Sequence, residues 1–310
     1  MNSTANAAAR KPRRKVAIRA TGRNDLALGP FRIFTSDWLP TPARLPSEHV
    51  VCAIGDVHGQ LAHFKILTAW IVKNVYPGRS GRCDLVTLGD YIDRGPESVG
   101  VLSFLGAFDP PGVKVTRLIG NHDVFLMKFL FDDATDFDFV EMWWANGGGA
   151  TLRELGLSSE DFYRDDLAAL QARAREHLPP AAAQCLRALQ ASRRIGDYLF
   201  VHGGVHPRRD LADQDIDELV TMREPFLSGA GWAHDFVVVH GHTICGPDVK
   251  PHRVACDSGA CATGVLTCAQ LEEDRMRFVI ATESEGPGAL DGIAARKNTM
   301  ALVWTECAAP

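Results

Sequence analysis

The sequence has no stretch approaching the ~20 uninterrupted apolar residues that a spanning helix needs, so no membrane segment is expected. It also has no Cys-x-x-Cys pair. Its eight cysteines (52, 83, 185, 245, 256, 261, 268 and 307) are scattered, and several sit inside apolar runs. That distribution excludes the usual zinc cage or disulfide framework and suits reduced, buried thiols in a cytoplasmic protein. No acid precedes Asp25, whereas Arg10, Lys11, Arg13, Arg14, Lys15, Arg19 and Arg23 do. Without an apolar run behind these charges, no secretory signal is expected. Residues 1–30 read as a basic, disordered tail; a transit peptide or a basic arm touching RNA or membrane are the other readings. Internal repeats and long low-complexity segments are missing too. A net charge of −5 over 310 residues gives the body of the chain no preference for nucleic acid or anionic membranes.

What the sequence does have is a series of short apolar runs, each ending in a polar cluster. Val50 to Ile54 leads into Gly55-Asp56-Val57-His58-Gly59. Leu85 to Leu88 leads into Gly89-Asp90-Tyr91-Ile92-Asp93-Arg94-Gly95, and Val113 to Ile119 into Gly120-Asn121-His122-Asp123. Tyr198 to Val201 precedes His202-Gly203-Gly204, and Phe236 to Val239 precedes His240-Gly241-His242-Thr243. Such runs, bounded by Gly and Asp, read as buried strands. Phe64, Leu67, Ile71 and Val75 fall on one helical face between the first two. Strand–helix–strand alternation implies parallel strands, whose carboxyl ends are where α/β sheets bind ligands.

Residues 132–194 break the pattern and read as a helical cap inserted over the site. Asp138 to Trp144 forms an amphipathic stretch expected to stop at Gly147-Gly148-Gly149. Ser158 with Asp161 resembles a helix start, and Tyr163, Leu167, Leu170, Ala174 and Leu178 repeat until Pro179-Pro180. Val265–Leu271, Phe278–Thr282 and Ala301–Trp304 read as further strands closing a second sheet.

Asp56, His58, Asp90, Asn121, His202 and His242 converge on this reading. Two carboxylates, three imidazoles and an amide form a mixed oxygen/nitrogen set. It suits manganese, iron or zinc better than calcium, which prefers all-oxygen shells. A carboxylate bridging two cations gives a dinuclear site that makes hydroxide available near neutral pH, so no protein nucleophile is needed. Any single cluster reads more readily as turn chemistry than as a metal site; five in order, each at a strand end, do not.

These five motifs resemble the ordered set of the phosphoprotein phosphatase branch of the calcineurin-like metallophosphoesterases, over roughly residues 48–270. The resemblance implies an α/β fold of two mixed β-sheets sandwiched between helices, here a domain over 48–310 with the helical cap 132–194 inserted. It implies two divalent cations, manganese first, with iron or zinc as alternatives. Asp56, His58 and Asp90 would hold one; Asp90 would bridge; Asn121, His202 and His242 would hold the other. It further implies His122 as general acid, oriented by Asp93, with Arg94, Asn121 and Arg223 binding the phosphate. Attack would come from a metal-bridging hydroxide, in line with the leaving group.

The expected activity is therefore a metal-dependent phosphomonoesterase, a protein phosphatase acting on Ser, Thr or Tyr phosphates. Its partners would be a phosphoprotein or a small phosphorylated substrate, with no nucleic acid substrate and no membrane. Asp123 stands where protein phosphatases of this branch usually carry Glu, and relatives that hydrolyse diadenosine tetraphosphate often carry Asp. A dinucleoside polyphosphate or polyphosphate hydrolase is thus the alternative, with the cap arginines as its polyanion site. Against a diesterase, Ile244 stands where those branches place a second histidine. A non-catalytic binding module using the basic tail is the remaining alternative, and the intact ligand set argues against it. His240 is expected to pack and Asp257 to fix a turn.

Overall fold

The computed structural model describes residues 30–283, apart from 42 and 80, together with the backbone of 304–307. The expected basic tail lies outside the described residues, except for Pro30. Two strands, β1 (Arg32–Ser36) and β2 (Leu39–Pro40), precede the alternating core. That core runs β3 (Val50–Ile54), α1 (Leu61–Asn74), β4 (Cys83–Thr87), α2 (Ser98–Ala107), β5 (Val113–Leu118) and α3 (Asn121–Phe131). As the alternation requires, β3, β4 and β5 pair in parallel, with Ile54 opposite Thr87 and Thr87 opposite Arg117. Phe64, Leu67, Ile71 and Val75 of the α1 region are all buried against them.

The inserted region holds α4 (Phe137–Trp143), a π-helical turn (Trp144–Gly148), α5 (Gly149–Glu154), a 3₁₀ turn (Asp161–Tyr163), α6 (Leu167–His177) and α7 (Pro180–Arg187). After it come β6 (Leu189–Gln190), β7 (Ser192–Ile195), β8 (Tyr198–Val201), α8 (Ile216–Thr221), β9 (Val237–His240), β10 (Asp248–Lys250) and β11 (Arg253–Ala255). The last elements are α9 (Ala260–Thr263), β12 (Val265–Glu272), β13 (Arg275–Thr282) and β14 (Trp304–Cys307).

Two mixed sheets result. The first runs β14-β1-β13-β12-β3-β4-β5-β6, with β2 beside β13; the second runs β10-β11-β9-β8-β7. Alternation along the strands sorts the side chains into layers. Val50, Cys52 and Ile54 of β3 face the helices, whereas Val51 and Ala53 face the other sheet. Across that interface stand Tyr198, Phe200, Val237 and Val239, while Leu199, Val201 and Val238 point to the far side, where Leu219 of α8 packs. The fold is thus two sheets between helical layers.

Several local expectations are corrected. Strands β12 and β13 do not close the second sheet: β12 pairs antiparallel with β3 and extends the first. An apolar run specifies burial but not which neighbour it will bond. Of the expected strand Ala301–Trp304, residues 301–303 lie outside the described residues, and the strand that is described, Trp304–Cys307, pairs with β1. The interval 132–194 is not helical to its end, because β6 and part of β7 lie within it.

The three glycines do not stop α4. The chain bends at Gly147, at φ 107°, and continues as α5. Asp161 accepts from the amide and hydroxyl of Ser158 but opens only a 3₁₀ turn; α6 starts later, with Asp166 accepting from the amide of Ala169. Tyr163, 91% exposed, is accordingly off the buried face that Leu170 and Ala174 form. Pro180 opens α7 at a position where the missing N–H costs nothing.

Candidate metal centre

Each polar cluster lies at the carboxyl end of a strand that runs parallel to a neighbour: Asp56 and His58 after β3, Asp90 after β4, Asn121 after β5, His202 after β8 and His242 after β9. The loops are stitched to one another. The amides of Val57 and His58 donate to the carbonyl of Asp90, and that of Gly241 to the carbonyl of His202. His58, Asp90, Asp93, Arg94 and His242 all take left-handed backbone, with φ between 43° and 71°. Bulky residues held there are strained, and such strain concentrates where geometry serves chemistry. Gly120 makes room for the centre: a Cβ on it would stand 2.1 Å from Oδ1 of Asp90.

Asp90 is the hub. Its Oδ2 lies 3.5 Å from Nε2 of His58 and 3.3 Å from Nε2 of His202, and its Oδ1 accepts from the amide of His122 at 3.0 Å. His58 and His202 each donate their Nδ1–H to a backbone carbonyl, Ile92 at 2.7 Å and Leu88 at 2.8 Å. That fixes both rings with Nε2 turned inward, the arrangement by which proteins orient imidazole ligands. Asn121 Oδ1 lies 3.2 Å from Nε2 of His202. Nε2 of His242 is buried and has no hydrogen-bond partner.

Ligand-type atoms within 4.8 Å of one another form two groups, His58–Asp90–His122 and Asp90–His202–His242, which share Asp90. Asp56 is outside both; its two oxygens accept from the amide of His242 at 3.1 and 3.0 Å.

The electrostatics mark a place short of positive charge. Burial pushes the Asp56 carboxyl well up, and the nearby Asp257 adds to it. Burial works against a charged His202, yet the Asp90 and Asp56 carboxylates outweigh it and raise the imidazole to about 10. Burial would also raise Asp90, but His202, His122 and His58 hold it well below the carboxylate range. Burial lowers His58 to about 4 and His242 to about 3, so both are neutral at pH 7 with lone pairs to give. Carboxylates that recruit an imidazolium, beside neutral imidazoles and an orphaned ring nitrogen, fit divalent cations bound with release of protons.

Beside this centre, His122 donates Nδ1–H to Oδ2 of Asp93 at 2.6 Å. Arg94 donates to Nε2 of His58 at 2.6 Å and to Nε2 of His122 at 2.9 Å. Arg223 is exposed on the segment after α8, and its charge is felt at His242. Asp123 is fully buried and accepts from the amides of Asp90, Tyr91 and Gly120, so it shapes the Asp90 turn. His240 packs against Phe226, and Asp257 accepts from the amide of Gly259.

Residues that the sequence did not single out also reach the site. Trp143 Nε1–H donates to Oδ2 of Asp93 at 2.7 Å, and Thr151 Oγ1–H to its Oδ1 at 2.5 Å. The amide of Arg94 donates to the carbonyl of Gly147. The available signal was Trp143 itself, since an indole on a buried face needs a partner for its N–H.

The sequence pattern of the calcineurin-like phosphoesterase family matches residues 49–258. Shewanella-like protein phosphatase 2 of Arabidopsis thaliana is 28% identical over 189 residues, which is 52% of this chain and 48% of that protein. The matches span 27% and 48% of the length of the curated relatives, about half at most. A crystal structure provisionally named a diadenosine tetraphosphatase has a TM-score of 0.48 at 22% identity, covering 74% of this chain and 94% of that one. The cold-active protein-tyrosine phosphatase of a psychrophilic Shewanella species has a TM-score of 0.47 at 19% identity, covering 76% and 80%.

Proposed function

This chain belongs to the calcineurin-like phosphoesterase family, and from that premise we propose that it is a metal-dependent phosphomonoesterase, a protein phosphatase acting on Ser, Thr or Tyr phosphates. The observation that carries the reading is the Asp90 carboxylate between Nε2 of His58 and Nε2 of His202, with the His122–Asp93 pair alongside. Asp56, His58 and Asp90 would hold one divalent cation, and Asp90, Asn121, His202 and His242 a second. Manganese is the metal proposed for this mixed oxygen/nitrogen set, with iron or zinc as alternatives. Such cations, when bound, lower the pKa of water towards neutrality and polarise phosphoryl oxygens.

The chain's own residues do the rest. Arg94, Arg223 and Asn121 bind and orient the phosphate. Nε2 of His122 lies 2.9 Å from the Arg94 guanidinium, so proton donor and phosphate clamp share one place. Once the bound phosphate draws the Arg94 guanidinium off Nε2 of His122, that nitrogen can carry a proton. The leaving oxygen takes it as the ester P–O bond breaks, while Asp93 holds Nδ1–H and with it the ring. Burial of His122 and Asp93 keeps bulk water from competing for that proton.

Charge supports a phosphoprotein over a polyphosphate chain. Five of the seven arginines of the inserted segment have partners within the protein. Arg164 pairs with Glu160, Arg173 with Asp161 and Asp165, and Arg194 with Asp235. Arg175 donates to the carbonyl of Leu130, and Arg153 lies over Trp144. Asp132, Asp133, Asp136, Asp138 and Glu141 are exposed around α4 and would repel a polyanion. With Asp123 turned to backbone amides, its departure from Glu ceases to favour a dinucleotide substrate. Cytoplasmic residence is proposed on the described cysteines, which carry thiols rather than disulfides. Among the described residues no helix is long and apolar enough to cross a membrane.

The test is a manganese-supplemented turnover panel of p-nitrophenyl phosphate, phosphoserine, phosphothreonine and phosphotyrosine peptides, and diadenosine tetraphosphate. Preference for phosphopeptides is expected. Preference for the dinucleotide would replace this reading with the polyphosphate one, and no turnover of any ester would remove both.

A further inference from the structure

Asp93 sits in a left-handed turn, fully buried, and none of the strands of either sheet holds its carboxylate. Every hydrogen bond described to that carboxylate apart from the one from His122 comes from the inserted segment. Oδ2 accepts from His122 Nδ1–H and Trp143 Nε1–H; Oδ1 accepts from Thr151 Oγ1–H. The Thr151 hydroxyl is locked in turn, since its oxygen accepts from the Asp93 amide at 3.0 Å, and the Ser98 hydroxyl accepts from the same amide at 2.9 Å. Trp143 is itself fully buried and packs at 5.6 Å on Phe129 of α3, the helix that begins with Asn121 and His122.

We infer that Trp143 and Thr151 are positioning residues for the general acid, acting on His122 through Asp93. The inference rests on the phosphomonoesterase reading above. An imidazole that protonates a leaving group must hold Nε2 within hydrogen-bond reach of an oxygen whose position the phosphate clamp fixes. Arg94 meets the Nε2 edge of the His122 ring, the edge that must turn to the leaving group, so Asp93 is the one side-chain anchor on the Nδ1 side. That anchor can swing about its own side-chain torsions unless something stops it. The indole N–H and the threonine hydroxyl each take a lone pair on a different oxygen, so the carboxylate plane is fixed at both ends. Remove either donor and the carboxylate can rotate, taking Nδ1 and the ring with it. Neither residue touches the ligand atoms of Asp56, Asp90, His202 or His242 by any described hydrogen bond, so the effect should fall on the protonation step alone.

The readout is therefore sensitivity to the leaving group. p-Nitrophenolate leaves with little help, whereas an alkoxide needs the proton. Steady-state turnover of p-nitrophenyl phosphate and of a phosphoserine peptide is to be compared for wild type, Thr151→Val, Thr151→Ser and Trp143→Phe. Both Thr151→Val and Trp143→Phe should lower kcat on the peptide by about 10–100-fold, with KM little changed. On p-nitrophenyl phosphate the loss should stay within about threefold. Thr151→Ser, which keeps the hydroxyl, should restore most of the lost kcat and so separates the hydrogen bond from packing.

Equal losses on both esters, or no loss on the peptide, would overturn the inference while leaving the phosphoesterase reading standing. So would a serine variant as impaired as the valine one. A wild type inactive on both esters would overturn the phosphoesterase reading, and this inference with it.

Discussion

The strand ends and the inserted segment reach the same centre by different routes. Strands β3, β4, β5, β8 and β9 deliver side chains that can bind cations, each a few residues beyond a run that is fully buried in all but β5. The inserted segment delivers no member of the proposed ligand set. Its Trp143, Gly147 and Thr151 touch Asp93 and Arg94, the pair proposed to orient the acid and clamp the phosphate. Binding chemistry is thus fixed by the sheets and alignment by an insertion. A variant in one region should accordingly look different from a variant in the other.

The largest expected effect breaks the sheet side. Asp90→Asn should cut turnover by about a thousandfold or more and reduce bound metal, read by elemental analysis. Asparagine tolerates the left-handed backbone of this position, so the turn itself should survive. Full metal occupancy would defeat the bridging assignment.

Next, His122→Asn should lower turnover by about 10²–10⁴-fold while bound metal is retained; unchanged turnover would remove His122 as the acid. A smaller loss is expected in the inserted segment. Gly147→Ala would force a side chain onto φ 107° with its Cβ 2.7 Å from Cγ of Arg94. A rise in KM of about tenfold is expected as the clamp shifts, and an unchanged KM would mean that Arg94 is placed from elsewhere.

The smallest effect concerns pH. The amide of Ser158, then its hydroxyl, then Arg173 draw the Asp161 carboxyl from its ordinary 3.8 down to about 2. A depressed carboxyl stabilises fully above its unfolded value, and that contribution fades as pH falls through the folded one. Amide exchange across 158–173 should therefore quicken between about 3.8 and about 2, and Asp161→Asn should flatten the change. An equally steep change in the variant would sink the assignment.

The same division governs what was legible in the sequence. A strand buried on both faces writes itself as an unbroken apolar run, and a site at its carboxyl end follows at once. Val50 to Ile54 and the Asp56-Val57-His58 cluster were therefore readable without a structure. Sheet membership was not. Val265–Leu271 carries the same apolar signal whether it bonds to β3 or to a strand of the other sheet.

Within the insertion, the signals were local and misleading. Three successive glycines suggested a stop, yet only Gly147 departs from helical backbone and the helix resumes beyond it. Tyr163 fits the helical spacing of Leu167 and Leu170 but precedes the turn in which the helix starts. Trp143 and Thr151 look like ordinary members of an amphipathic stretch. Their partner is 50 and 58 residues away in the chain, a distance that no local pattern spans.

Gly120 carries a consequence for reading other sequences of this kind. The hydrogen it bears in place of a methyl is what lets the Asp90 carboxylate sit where it does. A relative could keep Asp56, His58, Asp90, Asn121, His202 and His242, together with His122, Asp93 and Arg94, and still carry alanine at this one position. An inventory of functional side chains would score that relative as intact. Its hub carboxylate would nevertheless be displaced, because two atoms cannot share a gap of 2.1 Å. What is missing from a residue can be as much a part of a binding site as what projects from one.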